Sequence, residues 1–218
     1  MEDDVFNKVD QFFAEYKTVV FEKGEIIIQG GTQPDGVLYL IDGHVIQYDI
    51  LPNGSEAIVN SYRPPAFLPM SWAINQSLNR FFYEAHSKTI AKQAPPEDVI
   101  AFLKANPDIV FDLLARVYRG TEGILGRLTN LMSGDAHSRV YFELMNVAQR
   151  FGDIASDGSV VIPITETDLA RRSGLARETV SRTLRQLKTT GVLSVKAGGG
   201  SIRISDIDIL KEALESRP

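Results

Sequence analysis

Residues 163–204 are punctuated in a way that few folds accommodate. Thr165 stands where it caps a helix over residues 166–172, and Gly174 follows where a tight turn favours a residue without a Cβ. A second helix is predicted over residues 176–189. Val180, Leu184 and Leu187 share one face of it, while Glu178, Ser181, Arg182, Arg185 and Gln186 share the other. Arg177 lies at its N-terminal end. Leu169, Ala170 and Leu175 are apolar or small where two such helices cross closely. Leu193-Ser194-Val195 and Ile202-Arg203-Ile204, joined through Gly198-Gly199-Gly200, read as a two-stranded wing. Cap, turn, helix faces and wing agree on a winged helix-turn-helix, which lays its second helix in a DNA major groove.

Charge distribution supports this reading although net charge does not. The 218 residues carry a formal charge of −5. Residues 1–134 hold 11 Lys/Arg against 17 Asp/Glu, whereas residues 165–203 hold eight bases against three acids. Those bases are Arg171, Arg172, Arg177, Arg182, Arg185, Lys188, Lys196 and Arg203. A local excess of positive charge on an acidic protein is a better guide to phosphate binding than the total. Arginine forks match guanine O6/N7 and a glutamate accepts from cytosine N4, so the polar face of the second helix has the chemistry of base readout. Lys196 and Arg203 stand in the wing, in reach of backbone phosphates.

The preceding sequence reads as a different kind of structure. After an amphipathic helix at about residues 5–16, short apolar runs such as Ile26-Ile27-Ile28 and residues 37–41 alternate with Gly-, Pro- and Asp-containing turns up to residue 60. That spacing predicts a small antiparallel barrel or jelly roll. A helix opens at Pro95-Pro96 and runs to Ala105; Asn106 is expected to cap the next, with Pro107 at its first position. In that helix, reaching about Met132, the residues Val110, Leu114, Val117, Thr121, Ile124, Leu128 and Leu131 alternate in steps of four and three. This is a coiled-coil seam of three heptads. It contains Gly120, Gly123 and Gly126, each unfavourable to a helix by about 1 kcal/mol. Asp135 caps a helix over residues 136–150, and residues 151–159 read as a polar loop. The fold class is therefore α+β, with three segments: an effector-type β domain (1–106), a dimerisation helix and hinge (107–134), and a winged helix-turn-helix domain (135–218).

Taken together, these features resemble the cyclic-AMP receptor protein and fumarate–nitrate reductase regulator (CRP/FNR) superfamily of transcription factors. Pro163-Ile164-Thr165, Asp168-Leu169-Ala170 and Arg177-Glu178-Thr179-Val180-Ser181-Arg182 look like its DNA-binding motif. Asn106-Pro107-Asp108-Ile109 resembles the start of its dimerisation helix, and Asp135 before Arg139 its hinge. The resemblance implies that Arg177, Glu178 and Arg182 read bases and that Ser181 adds a contact. Thr165, Thr179, Arg185, Lys196 and Arg203 are further candidate DNA contacts, and the seam residues are candidates for pairing two copies. It also implies double-stranded DNA with half-sites of the TGTGA or TTGAT type, and RNA polymerase as partner if the protein activates.

The effector site departs from that pattern. Cyclic-AMP-binding members carry Gly-Glu and Arg-Ser or Arg-Thr pairs; here Pro69-Met70 and Phe81-Phe82 stand at those places, with Arg80 one position off. Ile124 and Leu125 replace the hydroxyl residues that meet adenine. A buried phosphate without its charged partner is strongly disfavoured. The position is lined instead by Met70, Trp72, Phe81, Phe82, Ile124 and Leu125. Either an apolar or aromatic effector binds there, or core side chains already fill the space. A cyclic-nucleotide-responsive regulator of the same fold is the rival reading.

The chain has no cysteine, which removes disulfides, thiolate metal sites and iron–sulfur sensing. His44, His86 and His137 are scattered, and no metal or haem site, cofactor or enzyme of the cupin type is expected. Neither a signal peptide nor a membrane-spanning run is apparent, so a cytoplasmic protein is expected.

Overall fold

The structure, a computed structural model, describes residues 3–133, 135–196 and 200–215. The chain divides into two compact units, Met1–Arg119 and Gly120–Pro218.

In the first unit, α1 (Asp3–Ala14) precedes β1 (Lys17–Phe21), β2 (Ile26–Ile28), β3 (Val37–Asp42), β4 (Val45–Ile50), β5 (Glu56–Tyr62) and β6 (Ala66–Leu68). A short helix α2 (Met70–Asn75), then β7 (Phe82–Ala85), β8 (Thr89–Ala94) and α3 (Pro96–Ala105) follow. The strands form two antiparallel four-stranded sheets, ordered β1-β8-β3-β6 and β2-β7-β4-β5. This is the jelly roll expected from the turn spacing, built of two open sheets. Period-two alternation explains why residues 37–40 of β3 are all apolar and buried. Val37 and Tyr39 face a helix-covered core with Val5, Val9 and Phe13 of α1. Leu38 and Leu40 face a core between the sheets with Val45, Leu68 and Tyr83. Ion pairing of Lys8 with Asp108 at 2.8 Å, and the Arg116 bond to the Pro65 carbonyl, tie later residues of the unit to its start and its β5–β6 turn.

Two expectations need correction here, and a third is extended. The opening helix ends at Ala14, and Tyr16 leads into β1. Helix α2, carrying Met70 and Trp72, was not foreseen. Asn106 serves both helices: its side-chain amide donates to the Phe102 carbonyl at the end of α3, and its own carbonyl accepts the Ile109 and Val110 amides that open the next helix.

Helix α4 (Pro107–Ser133) is as long as the heptads predicted, and the unit boundary falls within it. The second unit continues with α5 (Ala136–Phe151), capped by Asp135, whose carboxylate accepts from the Ser138 amide at 2.8 Å. Then come β9 (Asp153–Ile154), β10 (Val160–Ile162), α6 (Glu166–Ser173), α7 (Arg177–Thr189), β11 (Leu193–Val195), β12 (Ile202–Ile204) and α8 (Ile207–Glu215). The expected polar loop contains β9, and β10 joins the wing, making a sheet ordered β11-β12-β10-β9. Gly198 and Gly199 of the expected wing turn lie outside the described residues. Val140, Leu144 and Val147 of α5 form one core with Leu169, Val180, Leu184, Ile202, Ile204 and Leu210.

The helix glycines divide by environment. A Cβ on Gly126 would come within 2.9 Å of the Phe142 ring of α5, whereas one on Gly120 would meet nothing within 4 Å. Gly120→Ala is therefore expected to raise stability in chemical denaturation by about 1 kcal/mol, the helix-propensity difference, while Gly126→Ala gains nothing because the ring must move.

Candidate nucleic-acid interface

The reading segment begins with a complete capping box. Thr165 Oγ1 accepts the Asp168 amide at 3.1 Å and donates to its carboxylate at 2.6 Å, and the Thr165 amide donates back to the same carboxylate at 3.3 Å. Gly174, at φ +65°, ends α6 in a left-handed turn that strongly favours glycine. The chain then reverses into α7, whose Val180, Thr183, Leu184 and Leu187 are buried. Ala176 precedes α7 without a side-chain cap. Thr183 donates to the Thr179 carbonyl at 3.1 Å and lies 3.3 Å from His137 Nδ1 of α5, so a polar side chain on the buried face is satisfied.

The opposite face is free of such packing. Arg177, Glu178, Arg182, Arg185, Gln186 and Lys188 are exposed, with Thr179 and Ser181 half-buried beside them. Lys196, just after β11, is exposed and its amide donates to the Ser201 carbonyl. Thus the structure brings together Arg177, Glu178, Thr179, Ser181, Arg182 and Arg185 on α7. Thr165 stands apart from that helix, at the start of α6, with its hydroxyl in the capping box.

Two of the eight bases counted from the sequence do not belong to this surface, and a third is engaged. Arg172 is 6% exposed, and burial pushes its guanidinium down to about 10, with Glu143 the main charge opposing that shift. Arg171 is largely covered, 3.9 Å from the Asp168 carboxylate. Arg203, on β12, donates to Asp157 at 3.1 Å and to the Ser159 hydroxyl at 2.8 Å. Sequence reasoning missed Arg127, Asp157 and Glu143. Glu143 had a signal, since it stands at the helical spacing of the apolar Val140, Leu144 and Val147, where a carboxylate needs a buried partner.

The residues of the first unit assigned to an effector pocket fall in different clusters. Trp72 and Met70 pack in the helix-covered core of the first unit, and Phe81 packs on the core between the sheets. Phe82 stacks on Tyr48, with centroids 5.3 Å apart. Arg80 is exposed and pairs with Asp49 at 3.0 Å. Ile124 and Leu125 are exposed positions of α4, in the second unit. Between the sheets lies a polar group the sequence did not suggest: Tyr62 donates to Gln47 Oε1 at 2.9 Å, and Gln47 Nε2 donates to the Tyr83 hydroxyl at 3.0 Å. Burial first, then the neighbouring Tyr62, holds the Tyr83 phenol well above its ordinary value. His44 and His86, distant in sequence, meet edge to face at 4.9 Å. Among the described residues there is no group of three metal-ligating side chains, and no helix is long and apolar enough to cross a membrane.

Comparison with known proteins agrees with this geometry. Residues 18–106 match the family model of the cyclic nucleotide-binding domain, and residues 138–213 that of the Crp-like helix-turn-helix domain. The transcriptional regulator SdrP of Thermus thermophilus is 24% identical over 203 residues, covering 92% of this chain and 96% of that protein. A cAMP-activated global transcriptional regulator CRP, from Pasteurella multocida, is 24% identical over 169 residues, 77% of this chain and 81% of its own length. Among solved structures, a CooA mutant from Carboxydothermus hydrogenoformans superposes with a TM-score of 0.78 at 18% identity, covering 94% of this chain and 90% of that one. A CRP/FNR-family transcriptional regulator from Thermus thermophilus superposes with a TM-score of 0.73 at 23% identity, covering 93% and 100%.

Two tests follow from the local chemistry. Thr165→Ala removes the capping box and should lower stability to denaturant by about 1 kcal/mol, with Thr165→Ser restoring most of it. Asp157 is held below the usual aspartate range, first by the Ser159 hydroxyl, then by the Ser159 amide, with the Arg203 charge adding to both. A lowered carboxylate pKa contributes stability above the unfolded value and loses it as pH falls through the native one. An NMR titration should therefore place the Asp157 midpoint below about 3.9, and Arg203→Ala should move it upward.

Proposed function

We infer, for a chain that belongs to the CRP/FNR superfamily of DNA-binding transcription regulators, that two copies pair through α4 and read a palindromic promoter site without control by cyclic AMP. The observation that carries base reading is α7, with Val180, Leu184 and Leu187 buried on one side and Arg177, Glu178, Arg182 and Arg185 exposed on the other. Thr179 and Ser181 flank those readers, and Lys196 contacts backbone phosphate. Arg203 exchanges its Asp157 partner for phosphate when DNA arrives.

Pairing is supported by the seam. Val110, Leu114, Val117, Ile124, Leu128 and Leu131 are 40–62% exposed along one 27-residue helix, and Thr121 is exposed among them. A row of apolar side chains at heptad spacing is stable in water when a second helix covers it. Two-fold pairing sets two reading helices about 34 Å apart, in successive major grooves. RNA polymerase is the further partner if the protein activates.

Independence from cyclic AMP is supported by the space between the sheets. Leu38, Leu40, Val45, Leu68 and Tyr83 pack there, with Gln47 and Tyr62 bonded to one another, and Arg80 is turned outward to Asp49. No cation among these residues is placed to compensate a buried cyclic phosphate.

Selection of bound sequences from random DNA, with and without added cyclic AMP, tests the whole reading. An inverted repeat recovered equally in both conditions supports it. Recovery only with the nucleotide assigns the rival role of a cyclic-nucleotide sensor, and no enrichment removes sequence-specific binding. On the recovered site, Arg182→Ala should weaken binding by about 1–3 kcal/mol and relax one base position. Lys196→Ala should weaken all sequences alike and reduce the salt slope by about one.

A further inference from the structure

The second unit contains a line of buried charge that lies away from the exposed face of α7. Glu143, in the middle of α5, is 1% exposed. Its two carboxylate oxygens accept from Arg127 of α4, Oε1 from Nε and Oε2 from Nη2, the latter at 3.1 Å. Arg172 of α6 is buried as well, and Glu143 is the main charge favouring its protonated form. Geometry agrees with the charge pattern. A cavity of about 10 Å³, roughly the room of one water, is lined by Arg127 and Asn130 of α4, Phe142 and Glu143 of α5, and Ser173, the neighbour of Arg172 on α6. Three helices thus meet at one carboxylate.

Stability alone gives little reason for such an arrangement. Removing ions from water is costly, and well-packed apolar side chains of the same volume often hold a core equally well or better. What an arginine fork on a carboxylate supplies is direction. Two parallel hydrogen bonds specify both distance and angle, whereas aliphatic side chains slide past one another at small cost. A Cβ on Gly126 would stand only 2.9 Å from the Phe142 ring, so α4 and α5 are also closely seated. Arg172 lies on the helix that Gly174 connects directly to α7, and its neighbour Leu169 shares a core with Val180 and Leu184.

We propose that Arg127, Glu143 and Arg172 set the register of α6, and through it α7, on the last turns of α4, so that Arg127 and Glu143 are positioning residues for DNA reading although neither is on the reading face. This rests on α7 being the helix that reads bases. It assigns to α4 a second role besides pairing: its C-terminal turns orient the reading helix.

The test compares three proteins on the selected site and on random DNA, with thermal unfolding of each. They are the unaltered chain, the triple variant Arg127→Met/Glu143→Leu/Arg172→Met, and the conservative variant Arg127→Lys. In the triple variant the melting temperature should be held or raised, random-DNA affinity should stay within about twofold, and the preference for the selected site should fall about tenfold. A site with one base pair inserted between its halves should then be bound almost as well as the original. Arg127→Lys keeps the charge and loses the fork, so it should retain the melting temperature and lose part of the preference. A folded triple variant with undiminished preference and spacing dependence overturns the proposal. If the triple variant does not fold, Arg127→Lys decides alone: unchanged preference and spacing dependence overturn it. If the unaltered chain itself shows no preference, it is the reading of α7 that fails, a result distinct from either.

Discussion

Burial of one face of α7 is the constraint on which the interface depends. Val180, Leu184 and Leu187 enter a core made with α5, α6 and the wing strands, and full burial of side chains of this kind stabilises by about 1.5–3 kcal/mol each. With that face held inward, the intervening arginines and Glu178 must point out. The turn at Gly174 sets how soon α7 begins after α6, and the Thr165–Asp168 box sets where α6 starts. Chemistry on the exposed face is therefore a by-product of packing on the other. A hydrophobic core residue misplaced by one position would rotate the arginines away together.

The same logic accounts for the first unit. Its two sheets are closed over Leu, Val and Tyr side chains, and the polar groups among them, Gln47, Tyr62 and Tyr83, bond to one another. A core whose hydrogen bonds are already internal gains nothing from a ligand that must bring its own charge into it. This supports separating the fold, which is shared with regulators named for cAMP activation, from the control that some of those regulators exert with it.

Legibility of the sequence followed the range of the interaction. Thr165, Asp135 and Gly174 act within a few residues, and each was placed correctly because capping and left-handed turns depend on local chemistry. The heptads of α4 were legible because periodicity is local too. Asn106 stands just before Pro107 as expected, but the sequence did not show that its side-chain amide would bond the Phe102 carbonyl of α3. The strand β9 was hidden because two residues carry no period, and its pairing with β10 is a tertiary fact. Charge counting could not show that Arg172 is buried or that Arg203 has a carboxylate partner, for a related reason. Arg172 is buried with Glu143 as the main charge favouring its protonated form, and Arg203 is held by Asp157, 46 residues away. Nothing at the positions themselves distinguishes a guanidinium that meets solvent from one that meets a carboxylate. Of the residues grouped by the family's pattern as an effector pocket, those in the first unit pack in different clusters, which no local signal reveals.

The central claim is that two reading helices act together on one DNA site. Hydroxyl-radical footprinting of the purified protein on its selected sequence tests it directly. The account predicts two protected patches related by a dyad, with centres about 34 Å apart along one face of the duplex. A single patch, or two patches without dyad symmetry, would contradict it.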